Sequence, residues 1–205
     1  MKVLSSIKKL SPELQTIITM IRDYAIKHHG DQMYGKKPYS YHLDRVASLF
    51  IPDLLNLYTK KQPLSQQFID QLRCIEISYL HDILEDTEVT AEELNKEFHR
   101  ETCEAVKLLT DVPGKNRKIR KKKTYAKIAA YTGPNSLIKV KLADRLANVR
   151  ECAKTKNWGL LAMYKKEHGL FRTALFRNIP EARVMWLEIE SIFLDNYSNY
   201  YKLVH

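Results

Sequence analysis

Four ionisable side chains that can bind a metal ion or carry protons lie within six consecutive residues: His81, Asp82, Glu85 and Asp86. In a helix, residues four apart share a face, so His81 would lie beside Glu85 and Asp82 beside Asp86. The adjacent His81 and Asp82 approach each other only if both lean towards a common point, and a metal ion supplies such a point. The alternative is a helix end with a few solvated charges, since short motifs often match by chance.

Two further segments extend this pattern. His42 lies upstream, within residues 39–43, and Asp144 lies downstream, within residues 139–148. Together with His81 and Asp82 they give the order H…HD…D, which resembles that of the HD-domain metal-dependent phosphohydrolases. Imidazole and carboxylate ligands suit Mn²⁺, Fe²⁺ or Zn²⁺ better than Mg²⁺ or Ca²⁺, which prefer oxygen ligands alone.

The resemblance is closer to one branch, the (p)ppGpp hydrolase domain of the RelA/SpoT family. HDILEDT, the Thr-x-Glu-Glu helix start after it, and VKLADRLANVR carry this resemblance. Residues 28–32 and 37–39 fit the motif that precedes the first metal histidine in that family, and the match extends over about residues 11–177. The length leaves no room for the synthetase and regulatory regions of long members. We therefore expect a stand-alone small alarmone hydrolase, similar to the metazoan SpoT homologue.

The resemblance implies both a reaction and a metal site. The reaction is the Mn²⁺-dependent hydrolysis of the 3′-pyrophosphate of guanosine alarmones, which converts (p)ppGpp to GDP or GTP plus pyrophosphate. The implied metal ligands are His42, His81, Asp82 and Asp144. Taken alone, His42 could instead be a core histidine, and Asp144 could merely pair with a neighbouring lysine or arginine of its helix.

Glu85 and Asp86 are the implied catalytic residues, because members of the family use this pair to orient or deprotonate the attacking water. Two close carboxylates tend to separate in pKa, which suits acid–base chemistry. The alternative is a helix-end pair that caps the following turn.

The predicted substrate contacts begin at a departure from the family. Tyr34 stands where the family has an arginine that stacks on guanine, and the loop is about two residues shorter. A tyrosine can still stack on a base, and Lys36 or Lys37 could replace the lost positive charge. The exchange makes (p)ppApp, or another 3′- or 2′-phosphorylated nucleotide such as NADPH, a second candidate substrate.

Three more residues complete the predicted substrate site. Asn148 follows Asp144 by one helical turn and could hydrogen-bond the ribose or base, although a surface asparagine is the alternative. Tyr164 matches a family pattern loosely and either faces the substrate or lies in the core. Lys122 belongs to a stretch, residues 111–141, that holds ten basic residues and one acidic residue. Such a patch favours a polyanionic substrate, or else a solvated or nucleic-acid-binding surface.

Composition and periodicity predict an all-α, cytoplasmic protein with a single domain over residues 1–205. The resemblance implies that this domain is of the HD type, a helical bundle of roughly eight to ten helices. The chain has no apolar run long enough to span a membrane and no secretory h-region. Apolar residues recur every three or four positions, which is typical of amphipathic helices. The predicted helices begin near Pro12, Ser40, Ser65, either Thr87 or Thr90, Glu101, Lys118, and residues 136, 158 and 180. The helix from Ser40 is expected to bend or break at Pro52, and the last helix is expected to end at residue 197.

Two other functions are alternatives to alarmone hydrolysis on the sequence alone. One is a phosphohydrolase acting on (p)ppApp, NADPH or a nucleoside monophosphate. The other is a non-catalytic RNA- or nucleotide-binding protein that uses the basic stretch. The complete set of metal and carboxylate residues argues against the second, because binding alone does not require them. We therefore expect a small nucleotide, rather than nucleic acid or a membrane, as the partner.

Overall fold

The computed structural model describes residues 2–60 and 65–196, which form α-helices and very little other regular structure. This confirms the predicted all-α fold class. The helices fall into two compact units, one ending at Thr110 and the other beginning at Asp111. The single domain over residues 1–205 stays a prediction.

The first unit is built around one buried helix. Its helices are α1 (Lys2–Ile7), α2 (Pro12–His29), α3 (Ser40–Ala47), α4 (Ile51–Thr59), α5 (Gln66–Leu80), α6 (Ile83–Asp86), α7 (Ala91–Glu97) and α8 (Arg100–Leu109). Helix α5 packs against α2, α3, α4 and α8. Its side chains Ile75, Ile77 and Leu80 have no exposed surface. A helix that is apolar on more than one side is stable only when neighbours cover it, so α5 forms the core of this unit.

The second unit repeats this principle around α10. Its helices are α9 (Arg117–Ala129), α10 (Ser136–Lys154), α11 (Trp158–Leu175) and α12 (Arg183–Asp195), the last preceded by a 3₁₀ turn at Pro180–Ala182. Helix α10 packs against α11 and α12, and α9 packs against α11. The four residues predicted to face the core, Leu137, Val140, Leu142 and Leu146, are all buried.

Local sequence signals place most helix ends correctly. Ser11 accepts a hydrogen bond from the Leu14 amide at the start of α2, and Thr90 forms a capping box at the start of α7. The single helix predicted from Ser40 is two helices in the structure. The helix is interrupted at residues 48–50 rather than at Pro52. Pro52 lies in the first turn of α4, where a missing N–H costs no helical hydrogen bond.

Two predicted segments differ in detail from the structure. Residues 30–38, expected to be a loop, contain a short antiparallel hairpin of β1 (Met33–Tyr34) and β2 (Lys37–Pro38). Gly35 at its turn has φ +62°, a conformation that favours glycine. The last residue of the predicted helix 180–197 lies outside the described residues.

In the part of the chain that the structure describes, no helix is both long and apolar enough to cross a membrane.

Candidate metal centre and active site

His81 and Asp82 lie in the turn between α5 and α6. Helix α5 ends at Leu80, His81 is its C-cap, and Asp82 is the N-cap of α6. Because the helix stops here, the two neighbouring side chains do not diverge around a helix axis. The Nε2 atom of His81 is 2.9 Å from Oδ2 of Asp82, so the pair converges as the sequence motif predicts.

His42 brings a third potential ligand from α3. Its side chain is buried, and its Nε2 lies 3.4 Å from Nε2 of His81 and 3.8 Å from Oδ2 of Asp82. One potential ligand atom from each of the three residues lies within 4.8 Å of the others. Two imidazole nitrogens and a carboxylate that converge in this way match the donor set of a divalent transition metal.

A second hydrogen bond fixes which nitrogen of His81 can bind a metal. The Nδ1 atom of His81 is 2.8 Å from the carbonyl oxygen of Ser78. A carbonyl only accepts, so Nδ1 carries the proton and donates it. The lone pair is therefore on Nε2, which points into the cluster with His42 and Asp82. This arrangement, in which the second ring nitrogen is held by a hydrogen bond, is usual for metal-binding histidines.

Tyr39 orients the carboxylate of Asp82, a role that the sequence did not reveal. Its hydroxyl donates to Oδ2 of Asp82 at 2.5 Å. The Tyr39 ring is buried and stacks on the ring of His29, with centroids 4.4 Å apart. A fixed donor to one ligand oxygen sets the direction in which the carboxylate points, so Tyr39 acts on the cluster through Asp82.

Helix α3 is held in place by a charged network beside His42. The carboxylate of Asp44 accepts two hydrogen bonds from Arg22 of α2, at 2.7 and 2.8 Å. The hydroxyl of Tyr79 on α5 donates to the same carboxylate at 3.2 Å. Asp44 therefore ties α3 to both neighbouring helices two residues from His42, which limits how far that ligand can move.

Glu85 and Asp86 are exposed on α6, one turn beyond Asp82. Asp86 is held by Gln32, whose Nε2 donates to Oδ2 of Asp86 at 3.0 Å. Gln32 is held in turn by His29, whose Nδ1 lies 2.7 Å from Oε1 of Gln32. Burial lowers the pKa of His29, which favours its neutral form. The pattern of histidine spacing gave His29 no role, because its link to Asp86 passes through Gln32, which lies 54 positions from Asp86 in the sequence.

Tyr34 lies against the metal cluster rather than apart from it. Its ring stacks on that of His42, with centroids 4.8 Å apart and an angle of 21° between the planes. Lys36 is exposed in the turn of the hairpin, next to Gly35. The contact of Tyr34 with a base and the contact of Lys36 with phosphate stay predictions. The structure shows in addition that Tyr34 packs against His42, a predicted metal ligand.

In the second unit, Asp144 and Asn148 form a pair on α10. The side-chain amide of Asn148 donates to Oδ1 of Asp144 at 2.5 Å and to its main-chain oxygen at 3.0 Å. Lys141 lies 3.6 Å from the other carboxylate oxygen. Asn148 thus orients Asp144, an interaction not foreseen from the sequence. Metal binding by Asp144 and nucleotide binding by Asn148 stay predictions.

Tyr164 is the predicted substrate residue most surrounded by charge. The guanidinium carbon of Arg145 lies 4.5 Å from its ring centroid, and burial raises the pKa of the Tyr164 hydroxyl. Glu167 on the same helix accepts hydrogen bonds from Arg117 at 2.7 Å and from Arg145 at 3.3 Å. Lys122 is exposed on α9. Substrate contact by Tyr164 or Lys122 stays a prediction.

We expect His81→Ala to abolish tight binding of a divalent transition metal, because it removes the predicted ligand whose Nε2 points into the cluster. Metal content after dialysis against Mn²⁺ or Zn²⁺, determined by mass spectrometry, measures the loss. His28→Ala is the matched control, since His28 is an exposed histidine of α2. Full metal occupancy in His81→Ala would contradict the assignment.

We expect Tyr39→Phe to weaken metal binding about 10-fold or more, the usual effect of losing a hydrogen bond to a metal ligand. Isothermal titration with Mn²⁺ gives the dissociation constant, and circular dichroism tests whether the fold is retained. Tyr58→Phe provides a control at a half-buried tyrosine of α4. If Tyr39→Phe binds Mn²⁺ as tightly as the unaltered chain, its hydroxyl does not orient the carboxylate in the bound state.

Comparison with known proteins gives two curated relatives and no matching family model. Over 154 residues the chain is 29% identical to a probable guanosine-3′,5′-bis(diphosphate) 3′-pyrophosphohydrolase of Mycoplasma pneumoniae, covering 69% of this chain and 19% of that protein. Over 126 residues it is 31% identical to the guanosine-3′,5′-bis(diphosphate) 3′-pyrophosphohydrolase of Borreliella burgdorferi, covering 60% of this chain and 17% of the relative. The chain thus spans less than a fifth of the length of either relative.

The fold is also similar to a solved structure, that of a metazoan ortholog of SpoT that hydrolyses ppGpp and plays a role in starvation responses. The TM-score is 0.64 at 20% sequence identity, and the match covers 87% of this chain and 94% of the other. These matches confirm the resemblance that the HDILEDT and VKLADRLANVR motifs indicate. The chain therefore has the all-α fold of this SpoT ortholog and is related in sequence to part of two guanosine-3′,5′-bis(diphosphate) 3′-pyrophosphohydrolases.

Proposed function

We propose that this chain is a metal-dependent phosphohydrolase that removes the 3′-pyrophosphate of guanosine alarmones in the cytoplasm, converting (p)ppGpp to GDP or GTP. The observation that carries the proposal is the convergence of His42, His81 and Asp82 on one point, one helical turn before the carboxylates of Glu85 and Asp86. The names of the two curated relatives support the same reaction.

The donor set supports a divalent transition metal, and we assign Mn²⁺ as the ion. We propose His42, His81 and Asp82 as ligands from the geometry of their cluster, and Asp144 as the fourth ligand from the family motif alone. An ion held there supplies a Lewis acid that lowers the pKa of a water molecule and offsets negative charge on the phosphate. Tyr39 and Asn148 each orient one of the carboxylates by a hydrogen bond.

Glu85 and Asp86 have separate roles in this proposal. Release of pyrophosphate breaks the bond between the ribose 3′-oxygen and the nearer phosphorus, while a water molecule adds its oxygen to that phosphorus. The water loses a proton and the 3′-oxygen gains one. Asp86 is held by Gln32, which suits it to orienting the water. Glu85 is the residue that we assign to accept the proton.

The remaining predicted residues would bind the nucleotide. Lys36 and Lys122 offer positive charge to the phosphates, and Asn148 and Tyr164 would contact the ribose or base. Tyr34 would stack on the base, and its position against His42 would bring the nucleoside close to the metal ligands. Each of these five residues can be replaced without removing a predicted metal ligand, so their roles in nucleotide binding can be tested one at a time.

A second candidate function rests on Tyr34. Tyr34 is a neutral ring at the position where the family has an arginine that recognises guanine. This exchange favours hydrolysis of (p)ppApp, or of a phosphorylated dinucleotide such as NADPH. The metal centre would be unchanged. The product separates the two reaction types, since alarmone hydrolysis releases pyrophosphate and a phosphatase releases orthophosphate.

We expect the purified chain to release pyrophosphate from ppGpp in the presence of Mn²⁺ and to lose this activity in EDTA. The assay offers ppGpp, ppApp and NADPH in parallel and identifies both phosphate products. Turnover of ppApp or NADPH alone would transfer the function to the second candidate. Metal binding without turnover of any of the three would refute both hydrolase proposals, and salt-sensitive RNA binding would then favour a binding protein.

We expect Glu85→Gln to keep its bound metal and to lower kcat about 100-fold or more, the usual contribution of a positioned general base. The amide keeps the size of the side chain but cannot accept the proton. Glu88→Gln is the matched control, because Glu88 is an exposed glutamate three residues further along. A normal kcat in Glu85→Gln would remove the role assigned to this residue.

A further inference from the structure

The second unit contains a cavity that none of the predicted metal, catalytic or substrate residues lines. It has a volume of about 530 Å³ and lies between the end of α11, the connection at residues 176–179 and the first turns of α12. A volume of this size is within the range of small-molecule sites. Its walls combine arginine side chains with aromatic rings: Arg172, Arg177, Arg183, Phe176 and Trp186.

The charge of the cavity favours an anion. Its lining includes three arginines, and the one acidic residue among the lining residues is Glu190. Arg172 donates to Oε1 of Glu190 at 2.7 Å, so these two charges offset each other. Arg177 and Arg183 form no ion pair within residues 2–60 and 65–196. Two guanidinium charges therefore remain for a ligand, and guanidinium groups match the geometry of phosphate.

The two remaining arginines differ in a way that suits binding. Arg177 is fixed by main-chain oxygens: it donates to Ala174 at 3.1 Å, to Phe176 at 3.0 Å and to Ala129 of α9 at 3.2 Å. Carbonyl oxygens hold the side chain in place without cancelling its charge. Arg183 is exposed, and in the part of the chain that the structure describes its hydrogen bond to Pro180 comes from the main-chain N–H, while its side chain makes none. The cavity lining therefore includes one guanidinium that is held in place and one that can adjust to a ligand.

The aromatic side chains add a flat surface beside these charges. Trp186 is buried and lies 6.2 Å from Phe176, measured between ring centroids. Phe176 keeps 50% of its surface exposed, so part of its ring is accessible to a ligand. The guanidinium of Arg172 lies 4.8 Å from the Phe176 centroid. A planar heteroaromatic ring can stack on such a surface.

We infer that this cavity is a second nucleotide-binding site, which takes the phosphates of a nucleoside diphosphate or triphosphate on Arg177 and Arg183 and its base against Phe176. The remaining oxygen of Glu190 can accept a hydrogen bond from a ribose hydroxyl. The inference does not depend on the proposed hydrolase activity, because it uses no residue of the candidate metal centre. Bound nucleotide would give the second unit a means of sensing the cellular nucleotide supply.

The test is an isothermal calorimetric titration of the full chain with GDP in the presence of EDTA. We expect saturable binding that is weakened at least 10-fold by Arg183→Ala and by Phe176→Ala. Both altered side chains are exposed, so neither change should unfold the chain, and a thermal melt checks this. Arg100→Ala is the arginine control, at an exposed position of α8. His81→Ala should bind GDP unchanged.

Three outcomes of the binding measurements would overturn the inference. The first is no saturable binding of GDP or ATP at millimolar concentration. The second is binding that is lost in His81→Ala but unaffected by Arg183→Ala, which would assign the nucleotide to the metal centre. The third is pyrophosphate binding as tightly as GDP with no effect of Phe176→Ala, which would leave a simple anion site. Photolabelling with 8-azido-ATP should mark residues 172–190, and labelling elsewhere would also count against the site.

Discussion

The hydrogen bond from His81 Nδ1 to the carbonyl of Ser78 is the interaction on which the metal centre depends. The last carbonyls of a helix have no partner within the helix, and Ser78 supplies one of them at the end of α5. The imidazole satisfies that carbonyl and, by doing so, places its own lone pair on the opposite nitrogen. The end of the helix and the orientation of the candidate metal ligand therefore depend on the same hydrogen bond. A longer α5 would move Asp82 away from His81 and remove the donor set.

The surroundings of the cluster restrict each donor in a different way. His42 is held through its helix, which Asp44 joins to Arg22 and Tyr79. Asp82 is held directly by the Tyr39 hydroxyl. These restraints come from α2, α3 and α5 together, so the positions of the donors are properties of the packed unit rather than of any single helix. Such preorganisation lowers the cost of gathering charged ligands around an ion.

The sequence predicted the features that depend on neighbours in the chain. The caps at Ser11 and Thr90 follow from side chains that reach three residues along, and the core face of α10 follows from helical spacing. Contacts between distant segments were not accessible in this way. Gln32 and Asp86 are 54 positions apart, and no local pattern shows that His29 would align the first with the second. The family motif alone supports Asp144, because the pattern of one helix cannot tell a metal ligand from the partner of Lys141.

Position 34 couples two properties that enzyme engineers usually treat as independent. The Tyr34 ring packs on His42, and it is also the residue that we propose to contact the base. Any exchange made there to alter which nucleotide is accepted will also change the packing of an imidazole in the metal cluster. A library randomised at this position would therefore confound altered selectivity with altered metal affinity. For the Mn²⁺-dependent hydrolase that we propose, selection at a single fixed Mn²⁺ concentration would favour variants that keep the ion over variants with a better substrate preference.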